Sequence, residues 1–405
     1  MRQPQQQAGD LVQSAATTLH TYRTRALAAA VPAVAAAALL VSGTSAPAPG
    51  PGGGTSRPAA GPPRVTAYVT TFVGRAVTPI TAATNTPGKP IKVDKAPTSI
   101  VSTPDGSKIY VYSMLKHTVT PVTTATNTAG TPIKAQDCGA GYQAMAITPD
   151  GKTLYVADCQ GNTVTPISTA TDMLGKPIHV GSGTWALAVS PNGKTLWVAC
   201  NASSGAGRVV PVSTATNTAG KPIMAARNLT LIAITPDGRT VYVADENNDT
   251  VVPVTTATDT AGPAIKLPKL DLPDWIAVTP DSKTAYVVTE GGKVVPISTA
   301  TNTAGPPIKV GTESNMIAVT PDGRTAYVTD EGSNAVVPIS TATNTAGPLI
   351  KVGKTPFWIA FTPDGKTAYV SNDGSDTVTP ISTATNTPGP PIKVGRLPGP
   401  ITVIP

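Results

Sequence analysis

Thr320-Pro321-Asp322-Gly323-Arg324-Thr325-Ala326-Tyr327-Val328-Thr329-Asp330 joins a tight turn to a short aromatic strand, and the chain writes this piece repeatedly. The turn recurs at Pro104, Pro149, Pro191, Pro236, Pro280 and Pro363, inside a unit of 41–45 residues that fills positions 64–405. Pro at the second turn position and Asp at the third favour a tight turn, usually with Gly next. These aspartates therefore read as structural. Self-similarity at this period means a propeller, a solenoid or an array. Short β-type runs separated by turn signals select the propeller.

Each unit holds four strand-like pieces. In one of them, strand a is Trp275-Ile276-Ala277-Val278-Thr279, and strand b is Thr284-Ala285-Tyr286-Val287. Strand c is Lys293-Val294-Val295-Pro296-Ile297, followed by a Thr-Ala-Thr-Asn-Thr linker and strand d, Pro307-Ile308-Lys309-Val310. Side chains alternate along a strand, so Ile276 and Val278 share one face and Ala277 the other. Blades can thus pack a large-residue face against a small-residue one. Strand b carries an aromatic at one fixed place: Tyr68, Tyr110, Tyr155, Trp197, Tyr242, Tyr286, Tyr327 and Tyr369. That regularity marks core residues. Strand c carries Pro79, Pro121, Pro166, Pro211, Pro253, Pro296, Pro338 and Pro380, each expected at a bulge or beyond its neighbour strand, since Pro cannot donate to a ladder.

Counting strands shows how the ring shuts. The repeat region opens with strands b, c and d alone and ends with a lone strand a, Pro400-Ile401-Thr402-Val403-Ile404. Joined, they complete an eighth blade and remove two open sheet edges. The expected fold is all-β: an eight-bladed β-propeller of four-stranded antiparallel blades, closed by N-terminal strands b, c and d plus C-terminal strand a. A seven-bladed ring is the alternative.

Ahead of the repeat, Arg23 and Arg25 precede an apolar run over residues 26–41, and small residues follow at Ser42, Gly43, Thr44, Ser45 and Ala46. This order describes a secretory signal, and residues 1–46 are read as one, with an uncleaved anchor as the rival. Such a run, with Pro32 inside, is short for a spanning helix of roughly 20 residues. Residues 47–63 read as a Pro/Gly-rich linker and 64–405 as the propeller domain. The expected location is secreted or cell-surface, with no membrane span after cleavage. Disulfides are permitted there, but Cys138, Cys159 and Cys200 are an odd count. Cys138 enters strand a and Cys159 leaves strand b of one blade, so these two are the expected pair. The formal charge is +7, yet no run of Lys or Arg exceeds two. A nucleic-acid partner, which needs clustered positive charge, is not expected.

Tyr369-Val370-Ser371-Asn372 and Tyr327-Val328-Thr329-Asp330, each after Thr-Pro-Asp-Gly-Lys/Arg-Thr-Ala, resemble the YVTN-type β-propeller repeats. Ser298-Thr299-Ala300-Thr301-Asn302 fits the same family. The resemblance covers residues 64–405 and implies an exported, surface-layer-like bacterial propeller. In strand c, Pro followed by Ser or Thr replaces the family's usual apolar residue and Asp.

Propeller ligands meet the channel mouth, where loops converge. The d–a and b–c loops should share one face. Strand a, as read, contributes no charged residue, so chemistry must come from the loops. The densest candidate ligand-binding patch is Asp274, Trp275, Glu313, Asn315, Phe357 and Trp358, from three consecutive d–a loops. The other reading of these rings is a plug over the channel top. The b–c loops place Asp245, Glu246, Asp249, Glu290, Asp330, Glu331, Asp373 and Asp376 on that same face. The a–b turns place Lys108, Lys152, Lys194, Arg239, Lys283, Arg324 and Lys366 on the opposite one. No metal site is expected: His117 and His179 lie in different units, and the loop 245–249 lacks the glycine and late glutamate of an EF-hand. No Gly-x-Ser-x-Gly elbow, Walker-type loop or dinucleotide fingerprint occurs, so no cofactor and no catalytic residue is assigned. The sequence reading is an exported non-enzymatic module that binds a ligand, peptide or envelope polymer at the loop face. A hydrolase or lyase of the lactonase or streptogramin-lyase type is the alternative.

Overall fold

The computed structural model describes residues 65–135, 145–158, 162–201, 207–268 and 272–405. They form an eight-bladed β-propeller, one antiparallel sheet per blade. Blade 1 is the composite: Thr66–Thr71, Ala76–Thr81 and the outer pieces Thr86–Pro87 and Ile91–Lys92 are joined by C-terminal Pro398–Ile404. The seam is in register, with Ala67 opposite Val403, Tyr68 opposite Thr402 and Val69 opposite Ile401. Blades 2 to 8 follow in chain order, their a strands being Pro97–Ser102, Met145–Ile147, Thr184–Val189, Leu229–Ile234, Pro273–Val278, Ser314–Val319 and Pro356–Phe361. These a strands touch one another all the way round, and Pro398–Ile404 meets both Pro356–Phe361 and Pro97–Ser102. They therefore line the channel, and the ring has no gap at the seam.

The fourth strand of each blade is split, a detail the sequence reading drew as one piece. In blade 6 Thr303–Ala304 and Ile308–Lys309 pair with opposite ends of strand c, Lys293–Ser298. Pro296 explains the break. Its carbonyl accepts Gly305 N–H at 2.7 Å, on the outer side of the strand. A residue's N and C=O point the same way in a strand, so the missing N–H faces the gap between the two pieces. No ladder bond is lost. Glycine stands opposite because a Cβ at any of the eight equivalent positions would lie 3.0–3.2 Å from the proline ring.

The strand b tyrosines are core, and each also reaches the next blade. Tyr68, Tyr155, Tyr242, Tyr286, Tyr327 and Tyr369 donate their hydroxyls to Asn127, Asn217, Asn302, Asn344, Asn386 and Asn85. Tyr110 uses Asp172 instead, at 2.6 Å, and Lys108 bonds that same carboxylate at 2.8 Å. The acceptors all hold φ between 52° and 57°, the left-handed region that Asn and Asp tolerate best. This is the reason for Asn or Asp at that place in every linker. The Tyr369–Asn85 bond locks blade 8 to blade 1. At the blade 4–5 joint Trp197 replaces Tyr, and its buried Nε1 has no partner.

The repeated turn is held as its composition suggests. In the founding example Thr320 Oγ1 donates to Asp322 Oδ1 at 2.6 Å, and Arg324 N–H donates to the same oxygen at 3.0 Å. Bonds of this kind, led by the Thr279 and Thr362 hydroxyls, hold Asp281 and Asp364 below the usual carboxylate range. The same aspartates pair with the expected basic ring: Asp281–Lys283 at 3.4 Å, Asp364–Lys366 at 3.5 Å and Asp150–Lys152 at 3.8 Å. The a–b face is therefore close to charge-balanced and not a basic surface. Among the described residues no helix is long and apolar enough to cross a membrane. The expected Cys138–Cys159 pair lies outside the described residues. Cys200 is buried in strand b of blade 4, its Sγ 3.8 Å from Val180 O.

Candidate binding site at the channel mouth

One backbone bond defines the mouth. The residue at the end of strand b, or the first beyond it, donates its N–H to the d–a loop before strand a of the same blade. The pairs are Phe72–Leu397 at 3.0 Å, Met114–Ala96 at 2.9 Å and Asn201–Gly183 at 2.8 Å. They continue with Glu246–Asn228 at 3.2 Å, Glu290–Leu272 at 3.0 Å, Glu331–Glu313 at 2.9 Å and Asp373–Thr355 at 3.0 Å. Equivalent positions thus carry Phe, Met and Asn in blades 1, 2 and 4, and acids in all of blades 5 to 8. Among the described residues, this rim position is acidic in blades 5 to 8 and neutral in blades 1, 2 and 4.

The other acids expected on this face are occupied with the loops. Asp245 accepts Arg227 N–H at 3.0 Å and Asn248 Nδ2 at 2.7 Å. Asp330 accepts the N–H groups of Thr312 and Glu313 at 3.1 and 3.0 Å, and Asp376 accepts Leu397 N–H at 3.0 Å. These carboxylates tie d–a loops to b–c loops and so fix the rim.

Strand a of blade 6 begins two residues earlier than the sequence reading placed it. Pro273 pairs with Thr289 and Trp275 with Val288, so Asp274 is the extra residue of a β-bulge. Bulges re-aim side chains. The expectation that strand a carries no charge is corrected here: Asp274 belongs to the channel wall. It is 5% exposed, and its Oδ2 has no hydrogen-bond partner. Burial, then the fields of Glu290, Glu246 and Glu331, push its carboxyl well above the usual range. Burial, followed by the charges of Glu290 and Asp245, raises Glu246 to about 7, and Asn228 Nδ2 donates to its Oε2 at 3.1 Å. Glu290 is raised by burial. Asp274, Glu246, Glu290 and Glu331, four carboxyl groups from three neighbouring blades, thus act on one another, and Asp274 is the most buried of them.

The expected patch is brought together only in part. Asn315 occupies the same strand position in blade 7, buried, with an unpartnered Nδ2. Glu313 is exposed and contributes its carbonyl to the rim bond with Glu331. Trp275 and Trp358 are only 1% and 3% exposed, with ring centroids 5.4 Å apart and planes at 85°. Phe357 packs 6.4 Å from Trp358. Blades 6 and 8 are not neighbours, so the two tryptophans can meet only in front of blade 7, toward the channel. They are buried against each other and offer no open aromatic surface. The residues missed as a set were Glu246, Glu290 and Glu331; their signal was an acid at one fixed repeat position in consecutive units. Among the described residues no three His, Cys, Asp or Glu groups are placed to hold a metal ion.

Solved structures with this architecture are numerous. The chain is similar to hydrazine synthase of Kuenenia stuttgartiensis, with 22% identity, a TM-score of 0.58, and coverage of 71% of this chain and 96% of that one. AztD of Citrobacter koseri gives 12% identity and a TM-score of 0.64 over 84% and 98% of the two chains. Virginiamycin B lyase of Staphylococcus aureus gives 15% identity and a TM-score of 0.54 over 68% and 91%. The neighbours are β-propellers. At these identities the likeness is one of fold alone. No family model and no curated protein matches the sequence.

Proposed function

We propose that this protein is an exported, YVTN-type propeller that binds a partner at the channel mouth and works as a binding or envelope-interaction module without catalysing a reaction. The observation that carries the reading is the polarised rim: acids at one repeat position in blades 5 to 8, each held by the same backbone bond. Fixed charges of one sign suit recognition of a ligand that rests on the mouth. Turnover by acyl or glycosyl chemistry needs a nucleophile with a positioned base. His117 and His179 lie in blades 2 and 3, across the ring from the acids. The test is capture of envelope fractions on the immobilised protein. The parent should retain a component that the triple variant Glu246→Gln, Glu290→Gln, Glu331→Gln releases; equal retention by both would overturn the reading.

One observation favours a second reading, a propeller hydrolase or lyase. Glu246, at about 7, is poised as a general acid or base at neutral pH. Assays with simple lactones, esters and cyclic depsipeptides decide it. The binding reading expects no turnover, and turnover abolished by Glu246→Gln would establish the enzyme.

A further inference from the structure

Building on the binding reading, we propose that the mouth receives linear oligoammonium ions. One alkylammonium group seats on Asp274, and further ammonium groups of the same chain lie against Glu246, Glu290 and Glu331.

Four features argue for this class of ligand. The first is the orphan oxygen. A buried polar atom without a partner is costly, and Asp274 Oδ2 is buried and unpartnered, in the field of the Glu290, Glu246 and Glu331 carboxyls. A cation supplies both the missing bond and the missing charge. The second is the spread of the acids. They come from blades 5, 6 and 7, and sheets pack face to face at about 10 Å. No three of the described groups are arranged to hold one metal ion, so the charge must be met by several cationic centres on one flexible chain. The third is the aromatic pair. Trp275, next to Asp274 in the chain, packs against Trp358, so the acid is bordered by rings against which the methylene chain of a ligand would lie. The fourth is the outer belt. Lys266, Lys309 and Lys351 are exposed at the outer edges of blades 5, 6 and 7, which leaves the inner rim as the place where a cation is attracted.

Proton balance gives the inference a signature. The groups facing Asp274 are Glu246 from blade 5, Glu290 from its own blade and Glu331 from blade 7. All are acids, so near neutral pH the empty site retains a proton in part on Glu246, and burial with these charges shifts Asp274 in the same direction. An arriving ammonium replaces the bound proton, which passes to the buffer. Binding should therefore release protons and tighten as pH rises from 6 to 8.

The experiment is calorimetric titration of the full chain with spermine, with a trilysine peptide and, separately, with Ca²⁺ or Mg²⁺, in two buffers of different ionisation enthalpy. One oligocation should bind per propeller, with proton release and with affinity that falls as salt increases. Asp274→Asn, close in shape to the protonated acid, should weaken binding at least tenfold, and Glu290→Gln several-fold. Asp364→Asn on the opposite face should change nothing. Tighter spermine binding assigns the site to free polyamines; tighter trilysine binding assigns it to lysine-bearing chains. The inference is overturned if neither oligocation binds at 150 mM salt, if Asp274→Asn melts like the parent yet binds equally well, or if the divalent ion alone saturates the site. Should the oligocations fail while the triple rim variant still loses its envelope partner, the ligand class is wrong and the binding reading stands. If the rim variant keeps that partner, the binding reading itself falls.

Discussion

At the scale of single residues, two groups carry testable energetic consequences. Glu246 is raised from the ordinary 4.5 to about 7, chiefly by burial. Between these values the folded state holds a proton that the unfolded chain has released, so stability falls as pH climbs from about 4.5 through 7. Glu246→Gln removes that dependence. The variant should match the parent below pH 4 and exceed it at pH 8 by on the order of 2 kcal/mol, read by denaturant unfolding at both pH values. A variant less stable at pH 8 would contradict the assigned burial. Trp275 and Trp358 make the second case. The sequence offered them as a binding rim or as a plug, and the structure packs them against each other in the core. Each change to Ala should cost about 3–5 kcal/mol. The double variant should lose less than the sum by about 1 kcal/mol, the usual coupling of an aromatic pair.

At the scale of elements, the joints between blades decide cohesion. A blade alone has two large faces to bury, and the strand b tyrosine serves both purposes: its ring fills one interface and its hydroxyl crosses to the next linker. Burial raises Tyr286 and Tyr369 to about 12, so the latches stay protonated donors at any ordinary pH. Tyr369→Phe leaves Asn85 Oδ1 without its donor and should cost about 1–2 kcal/mol. Tyr286→Phe should cost a similar amount through Asn344, because the joint is repeated. Thermal melts of the two variants should shift alike; a change confined to one would show that the joints are not equivalent. Reading the repeat made the tyrosines and prolines plain as core and strand-interrupting positions. It did not show that the tyrosine hydroxyl explains the linker Asn or Asp, because the partner lies 58–62 residues away at the internal joints.

At the scale of the whole molecule, closure and polarity are the governing properties. The ring is one cooperative object only while Pro398–Ile404 completes blade 1 against Thr66–Thr71. Deleting residues 400–405 exposes an unpaired strand edge and removes the inner wall between blades 8 and 2. The truncated protein should melt broadly and aggregate; a melt as sharp as the parent's would sink the closure argument. The chain carries a formal charge of +7, yet the mouth is acidic over half its rim and the opposite face pairs its lysines with aspartates. Charge is thus sorted by position on the ring, which steers partners by face more than net charge does.

The sequence by itself determined the blade count, the seam, the turn chemistry, the aromatic core and the prolines of strand c. These are local or periodic properties, and a repeat displays each of them eight times. It also held the acids at one repeat position, where Glu246, Glu290, Glu331 and Asp373 each make the same backbone bond to the d–a loop of their own blade. What the tertiary structure alone decided was the depth of each group. A one-residue bulge moved Asp274 from a loop into the channel wall, and the curvature of the ring brought Trp275 to Trp358 across an intervening blade. Periodicity fixes which residues face a neighbouring blade. Only the closing of all eight fixes which of them meet across the axis.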